Sequence, residues 1–126
     1  MTEERFPISW YDQTAVVGLP GEIDLTIADG ARDALLAALD QGAHGLVVDM
    51  TATTFCDSAG ITALVRAARR AAANGATMRL AATAQPVLRV ISLVGIDRLI
   101  DVYPSVDAAR ASLPNGGVIR EGGPVQ

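Results

Sequence analysis

Short apolar runs alternate with helical stripes along this chain, and glycine, proline or Asx residues stand at nearly every junction. A change of hydrophobic period from 2 to 3.6 and back is the mark of a sheet whose strands are joined through helices. Ile8-Ser9-Trp10-Tyr11 reads as a first strand and Thr14–Leu19 as a second, with Asp12-Gln13 as a tight turn between them. Pro20-Gly21 ends that pairing, and Glu22-Ile23-Asp24 leads out of it. Thr26 is the expected N-cap of a helix, with Asp29 completing an imperfect capping box, and Ile27, Ala31, Leu35 and Leu39 form its apolar stripe up to Gly42.

Gly45–Met50 is a continuous apolar run, as expected of a central strand covered on both faces. Thr51–Cys56 reads as a connector, and Asp57-Ser58 opens a helix whose apolar face is Ile61, Leu64, Val65, Ala68 and Ala72, closed by Asn74-Gly75. A strand over Thr77–Ala82 follows, then a helix over Pro86–Val94 capped by Thr83 and stopped by Gly95. A short strand over Leu99–Val102 and a helix over Ser105–Leu113 complete the pattern. The expected fold is one α/β domain over residues 1–113, with its core over 8–113. It has a mixed sheet of about four or five strands with helices packed on it. The Asn-Gly-Gly and Gly-Gly-Pro steps of residues 114–126 predict a disordered tail.

Composition removes whole classes of chemistry. Ten Arg and no Lys stand against 14 Asp and Glu, a net charge of −4, and no basic cluster exceeds Arg69-Arg70. Nucleic-acid partners are therefore not expected, and without lysine there is neither a Walker-type phosphate loop nor Schiff-base chemistry. One cysteine, Cys56, and one histidine, His44, provide no disulfide framework and no Cys/His zinc site, so neither a metal nor a bound cofactor is expected. No apolar run approaches the ~20 residues of a membrane-spanning helix, and Met1-Thr2-Glu3-Glu4-Arg5 lacks the pattern of a signal peptide. These features predict a cytoplasmic protein without membrane insertion.

The segment with most chemical content is Phe55-Cys56-Asp57-Ser58-Ala59-Gly60-Ile61. It sets a hydroxyl at the start of a helix, where the first N–H groups lack helical partners and the macrodipole favours an anion. On that basis a phosphate on Ser58 is expected to rest on the N–H groups of Gly60 and Ile61, with Gly60 permitting its close approach. The plainer reading is that Asp57-Ser58 only caps the helix.

Three segments together resemble a STAS domain (sulfate transporter and anti-sigma factor antagonist) of the small bacterial kind. These are Gly21-Glu22-Ile23-Asp24, Asp57-Ser58-Ala59-Gly60-Ile61 opening a helix, and Pro86-Val87-Leu88-Arg89-Val90 leading to Gly95. The resemblance covers about residues 8 to 113 and implies an anti-sigma factor antagonist. Such a protein binds an anti-sigma factor that is also a serine kinase, releases the sigma factor, and is switched off by phosphorylation at the Ser of Asp-Ser-x-Gly, here Ser58. A serine phosphatase restores it, and ATP belongs to the kinase. Gly21, Glu22, Asp24, Asp57, Ala59, Gly60 and Ile61 match the family's partner-facing positions. Ala59 leaves a single acceptor in the motif where many members carry a second hydroxyl. Pro20 departs from the polar residue usual before Gly-Glu, and Cys56 stands where Met or another apolar residue is common. The expected oligomeric state is a monomer or a weak dimer through the first strand.

Three alternatives have their own requirements. A hydrolase built on Cys56-Asp57-Ser58-Ala59-Gly60 as a nucleophile elbow needs His44 as its base, although His44 precedes the serine; the expectation is that the chain is not an enzyme. A reactive Cys56 needs exposure and a depressed pKa. Within the family, the alternative is an accessory or scaffold subunit of a membrane transport system, without sigma-factor coupling. Arg66, Arg69 and Arg70 are read as a solvated helix face, and Trp10 and Tyr11 as cover for the sheet edge.

Overall fold

The computed structural model describes residues 6–114. Its elements are β1 (Ile8–Tyr11), β2 (Thr14–Gly18), β3 (Glu22–Ile23), α1 (Leu25–Asp40), β4 (Gly45–Met50), β5 (Phe55–Cys56), α2 (Ser58–Asn74), β6 (Thr77–Ala82), α3 (Gln85–Val94), a 3-10 turn (Ile96–Arg98), β7 (Asp101–Tyr103) and α4 (Val106–Ala111). Five strands form one mixed sheet in the order β1-β2-β4-β6-β7. β1 runs antiparallel to β2 through the turn at Asp12, whose φ of 57° closes it, and the other neighbours are parallel. A fold of strand-helix-strand units needs this arrangement, because a parallel neighbour is reached only through a crossover.

Register follows from burial. Ala15, Val17, Leu46, Val48, Met50, Leu80 and Ala82 send side chains to one face, where they meet the apolar stripes of α1, α2 and α3 in the larger core. Val16 and Val47 face the other way and meet Ala109 of α4 and Leu113 just after it, with Tyr103 and Val106 alongside. β4 is thus covered on both faces, with Val47 and Val48 both at 0% exposure. Gly75 and Gly95 end α2 and α3 in the left-handed conformation, with φ of 72° and 82°.

Several local expectations are corrected. The N-cap of α1 is Asp24, not Thr26, because the carboxylate reaches the N–H groups of both Thr26 (3.0 Å) and Ile27 (3.2 Å) from the Ncap position. Thr83 does not cap α3. Ala84 holds that position without a side-chain bond, and the Thr83 hydroxyl donates instead to the Thr51 carbonyl at 3.5 Å. The last strand is Asp101–Tyr103, displaced by the 3-10 turn that buries Ile96. Arg70 is not simply solvated: its guanidinium clamps Asp40 through both carboxylate oxygens (2.7 and 2.8 Å), tying the end of α2 to that of α1. Arg66 and Arg69 are exposed as expected, and the Tyr11 ring lies under the Arg110 guanidinium at 3.7 Å. The tail expected from residue 114 lies, from residue 115 onward, outside the described residues.

The correction that matters for function concerns Thr51–Cys56, which is not a mere connector, and Glu22-Ile23, which does more than lead out of the second strand. Each contributes a two-residue strand, and β3 and β5 pair in parallel as a second small sheet, Glu22 beside Phe55 and Ile23 beside Cys56. Thr53, at 0% exposure, donates its hydroxyl to the Pro20 carbonyl at 2.8 Å and stitches the approaches of the two strands. Thr53→Val keeps the shape and removes that donor. It is expected to cost about 1–3 kcal/mol, because a carbonyl in a closed junction loses its partner. A urea titration should show a lower midpoint at an unchanged slope.

Candidate functional site

β3 and β5 end side by side, and each delivers an aspartate one residue later: Asp24 onto α1 and Asp57 onto α2. The ladder between them is explicit. The Gly21 carbonyl accepts from Thr54 N (2.7 Å), and the Ile23 carbonyl from Asp57 N (3.0 Å). Ile23 and Cys56 turn inward and are buried, while Glu22 and Phe55 turn outward, as the period of two demands. Two helix N-termini therefore open from one ridge that carries Gly21, Glu22, Asp24, Asp57 and Ser58.

Asp57 accepts from Ala59 N at 2.9 Å and from Gly60 N at 3.4 Å, and its own carbonyl accepts from Ile61 N at 3.1 Å. Asp24 does the same for α1 and also receives the Thr26 hydroxyl at 2.7 Å. That hydroxyl bond, partly opposed by desolvation and aided by the backbone N–H groups, holds the Asp24 carboxyl below its usual range. Carboxylates at helix N-termini are favoured by the dipole as well as by these bonds. Ser58 is the first residue of α2, exposed, and its hydroxyl makes no hydrogen bond among the described residues.

The expected cradle for a phosphate is not formed. The Gly60 N–H faces the Asp57 carboxylate and the Ile61 N–H the Asp57 carbonyl, so both are already satisfied. Gly60 is also buried: a Cβ there would lie 2.5 Å from Cys56 Sγ and 2.8 Å from Ile23 Cγ2. Its lack of a side chain admits the β3–β5 layer beneath α2 and not an anion from outside. Ile61 is half-buried against the larger core. Of the residues singled out from sequence, Gly21, Glu22 and Ser58 are exposed, Asp24, Asp57, Ala59 and Ile61 are half-buried, and Gly60 faces inward.

The alternatives fare differently. His44 precedes β4 while Ser58 follows its far end, so a six-residue strand of about 20 Å separates them. A base must stand within hydrogen-bond reach of its nucleophile, so this pair is no hydrolase. Cys56 is buried, and desolvation, with the Asp57 charge added, raises its thiol from 9.0 to about 11. That is the opposite of an activated cysteine. No helix among the described residues is long and apolar enough to cross a membrane.

Three residues of the ridge escaped the sequence reading. Thr53 reads only as part of a connector, and two-residue strands carry no readable period. Leu25 at the start of α1 (74% exposed) and Phe55 on β5 (48%) are large apolar residues that face outward. An apolar residue that breaks the alternation next to a cap is the only signal that marks them.

The profile of the STAS domain matches residues 7–109. The chain is similar to an anti-sigma factor antagonist from Mycobacterium paratuberculosis, at 26% identity and a TM-score of 0.79, over 86% of this chain and 92% of that one. It shares 21% identity with the Bacillus cell fate determinant SpoIIAA in its phosphorylated form, at a TM-score of 0.64, over 82% and 95%. A sulfate transporter family protein from Wolinella succinogenes aligns at 15% identity and a TM-score of 0.71, over 80% and 84%. These last two likenesses are of fold.

The packing beneath Ser58 makes Gly60 and Cys56 testable. Gly60→Ala gains about 1 kcal/mol of helix propensity but forces a methyl group onto Cys56 and Ile23, at about 1–3 kcal/mol. The expected net result is a lower melting temperature, where an open glycine would give a higher one. Cys56 should react with a thiol reagent at pH 8 roughly a hundredfold more slowly in the folded chain than when unfolded, from its raised pKa. Because the unfolded thiol ionises first, stability should fall as pH climbs from about 9 to about 11 and hold below that window, as pH-dependent urea midpoints would report.

Proposed function

Since the chain belongs to the STAS domain family, we propose that it is an anti-sigma factor antagonist that binds an anti-sigma factor with serine kinase activity. Binding displaces a sigma factor, and phosphorylation of Ser58 ends the binding. The observation that carries this reading is Ser58 itself: an exposed, unbonded hydroxyl at the start of α2, on the ridge shared with Gly21, Glu22, Asp24 and Asp57. The likeness to the Mycobacterium paratuberculosis antagonist supports it. In this reading the chain does no catalysis. The kinase brings ATP, and a separate serine phosphatase resets the switch in the cytoplasm.

The chemistry is a phosphoryl transfer. Ser58 Oγ bonds to the γ-phosphorus of ATP, the bond to the β–γ bridging oxygen breaks, ADP leaves, and the hydroxyl proton passes to a base of the kinase. The product carries about −1.5 to −2 charges at neutral pH. In solvent the fold tolerates that charge, because the dipole of α2 still favours it. Under a docked partner it does not fit, since the dianion would be desolvated beside the Asp57 carboxylate. A buried, unpaired interfacial charge costs roughly 2–5 kcal/mol, which is about a thirtyfold to several-thousandfold loss of affinity. The switch thus works through affinity, with the fold unchanged.

The test is a capture experiment with two baits, Ser58→Ala and Ser58→Asp, followed by identification of what each retains and titration with the purified partner. The expected outcome is a kinase of the anti-sigma type held by the Ala bait and lost, by at least tenfold in affinity, from the Asp bait. Equal retention by both baits overturns the phosphorylation switch. Retention of membrane transport components alone replaces it with the accessory-subunit reading.

A further inference from the structure

We infer that Asp57 is a positioning residue for Ser58: it fills the cap of α2, which leaves the serine hydroxyl unbonded and keeps a phosphate on that serine off the N–H groups of Ala59 and Gly60. The inference deepens the reading of Ser58 as the phosphorylated residue and rests on it.

Among the described residues, three helices carry a hydroxyl residue at the Ncap or in the first turn, and they use it differently. At α4, Ser105 is itself the cap, its Oγ accepting from Ala108 N at 3.0 Å. At α1, Asp24 is the cap, and the hydroxyl of Thr26 is spent on it at 2.7 Å. At α2, the Asp57 carboxylate takes the N–H groups of Ala59 and Gly60, its carbonyl takes that of Ile61, and the Ser58 carbonyl receives the Thr62 hydroxyl at 3.0 Å. In that first turn the N–H groups of Ala59, Gly60 and Ile61 are engaged, and neither the hydroxyl nor the N–H of Ser58 makes a hydrogen bond among the described residues. A serine at the Ncap position, as at Ser105, already holds a backbone N–H on one lone pair of the oxygen that would attack a γ-phosphorus. Moved one residue inward, with an aspartate before it, the hydroxyl is left free to attack.

The same arrangement decides where the phosphate goes. A helix N-terminus ordinarily receives an anion through its free N–H groups. Here the donors of Ala59 and Gly60 already bind a carboxylate, which also repels a second anion beside it. Across the ladder, β3 and the N-cap of α1 carry the further carboxylates of Glu22 and Asp24. The phosphate is held outward, in the path of anything docking on the ridge.

The experiment installs phosphoserine at position 58 during synthesis and follows the phosphorus signal and the amide signals of Ala59 and Gly60 through a pH titration. In the protein with Asp57, those two amides are expected to stay nearly still as the phosphate ionises. In Asp57→Ala, the vacated donors should turn to the phosphate, and both amides should move downfield with its ionisation. Amides in the unsubstituted protein that follow the phosphate as far as in Asp57→Ala overturn the inference. Asp57→Asn, which caps equally well, keeps the test decisive if the alanine variant fails to fold. Its phosphate should ionise at lower pH than that of the Asp57 protein, and an unchanged midpoint overturns the proposed contact. Because the phosphate is built in, the result bears on Asp57 whether or not the capture experiment finds a kinase.

Discussion

The pairing of β3 with β5 is the interaction on which the rest of the site depends. Each strand has two residues, too few to stand alone, and each leads directly into a long helix. The Gly21 and Ile23 carbonyls bind the backbone of Thr54 and Asp57, and Thr53 closes the approach from the Pro20 side. Without that ladder, residues 21–24 and 57–58 would be distant loops on separate strand-helix connections. With it, two acidic caps and one exposed serine share a ridge. The ladder is anchored from below, where Ile23 and Cys56 enter the core and Gly60 lets α2 settle directly on them.

Asp57 and Ser58 divide two tasks that one residue often performs. Serine and aspartate are both good caps, so a serine at a helix start is ambiguous until the partner of each N–H is known. Here the carboxylate binds the backbone and the hydroxyl has no partner among the described residues. Helix initiation and the modifiable group are thereby uncoupled, and a charge can be added to Ser58 without withdrawing a bond that holds α2. A switch that alters affinity and leaves the fold alone needs that separation. Cys56 fits the same logic as a buried thiol that packs and does not react.

Much of the architecture was legible in the chain. Gly45–Met50 and Thr77–Ala82 were read to the residue, because a continuous apolar run bounded by glycine or threonine admits few other assignments. The reading of α2 with Asp57-Ser58 at its start was equally direct. What escaped was short or relational. β3 and β5 have no measurable period, the choice of Asp24 over Thr26 as cap turns on side-chain reach, and the 3-10 turn before β7 moved the start of that strand by two residues. Thr53 is polar and fully buried, which no local pattern announces, since its partner is a carbonyl 33 residues away.

By itself, the sequence determined the class of fold, the order of the elements, the single hydroxyl of the Asp-Ser-x-Gly motif, and the acidic, lysine-free surface that narrows the partners. Those follow from periodicity and composition, which are local or additive and need no third dimension. Only the tertiary structure decided that Gly21–Asp24 lies against Asp57-Ser58, that Gly60 faces the core and not an anion, and that Asp57 alone takes the cap. Each of these depends on distances between groups remote in sequence, or on competition for one backbone donor, and such contests are settled by packing.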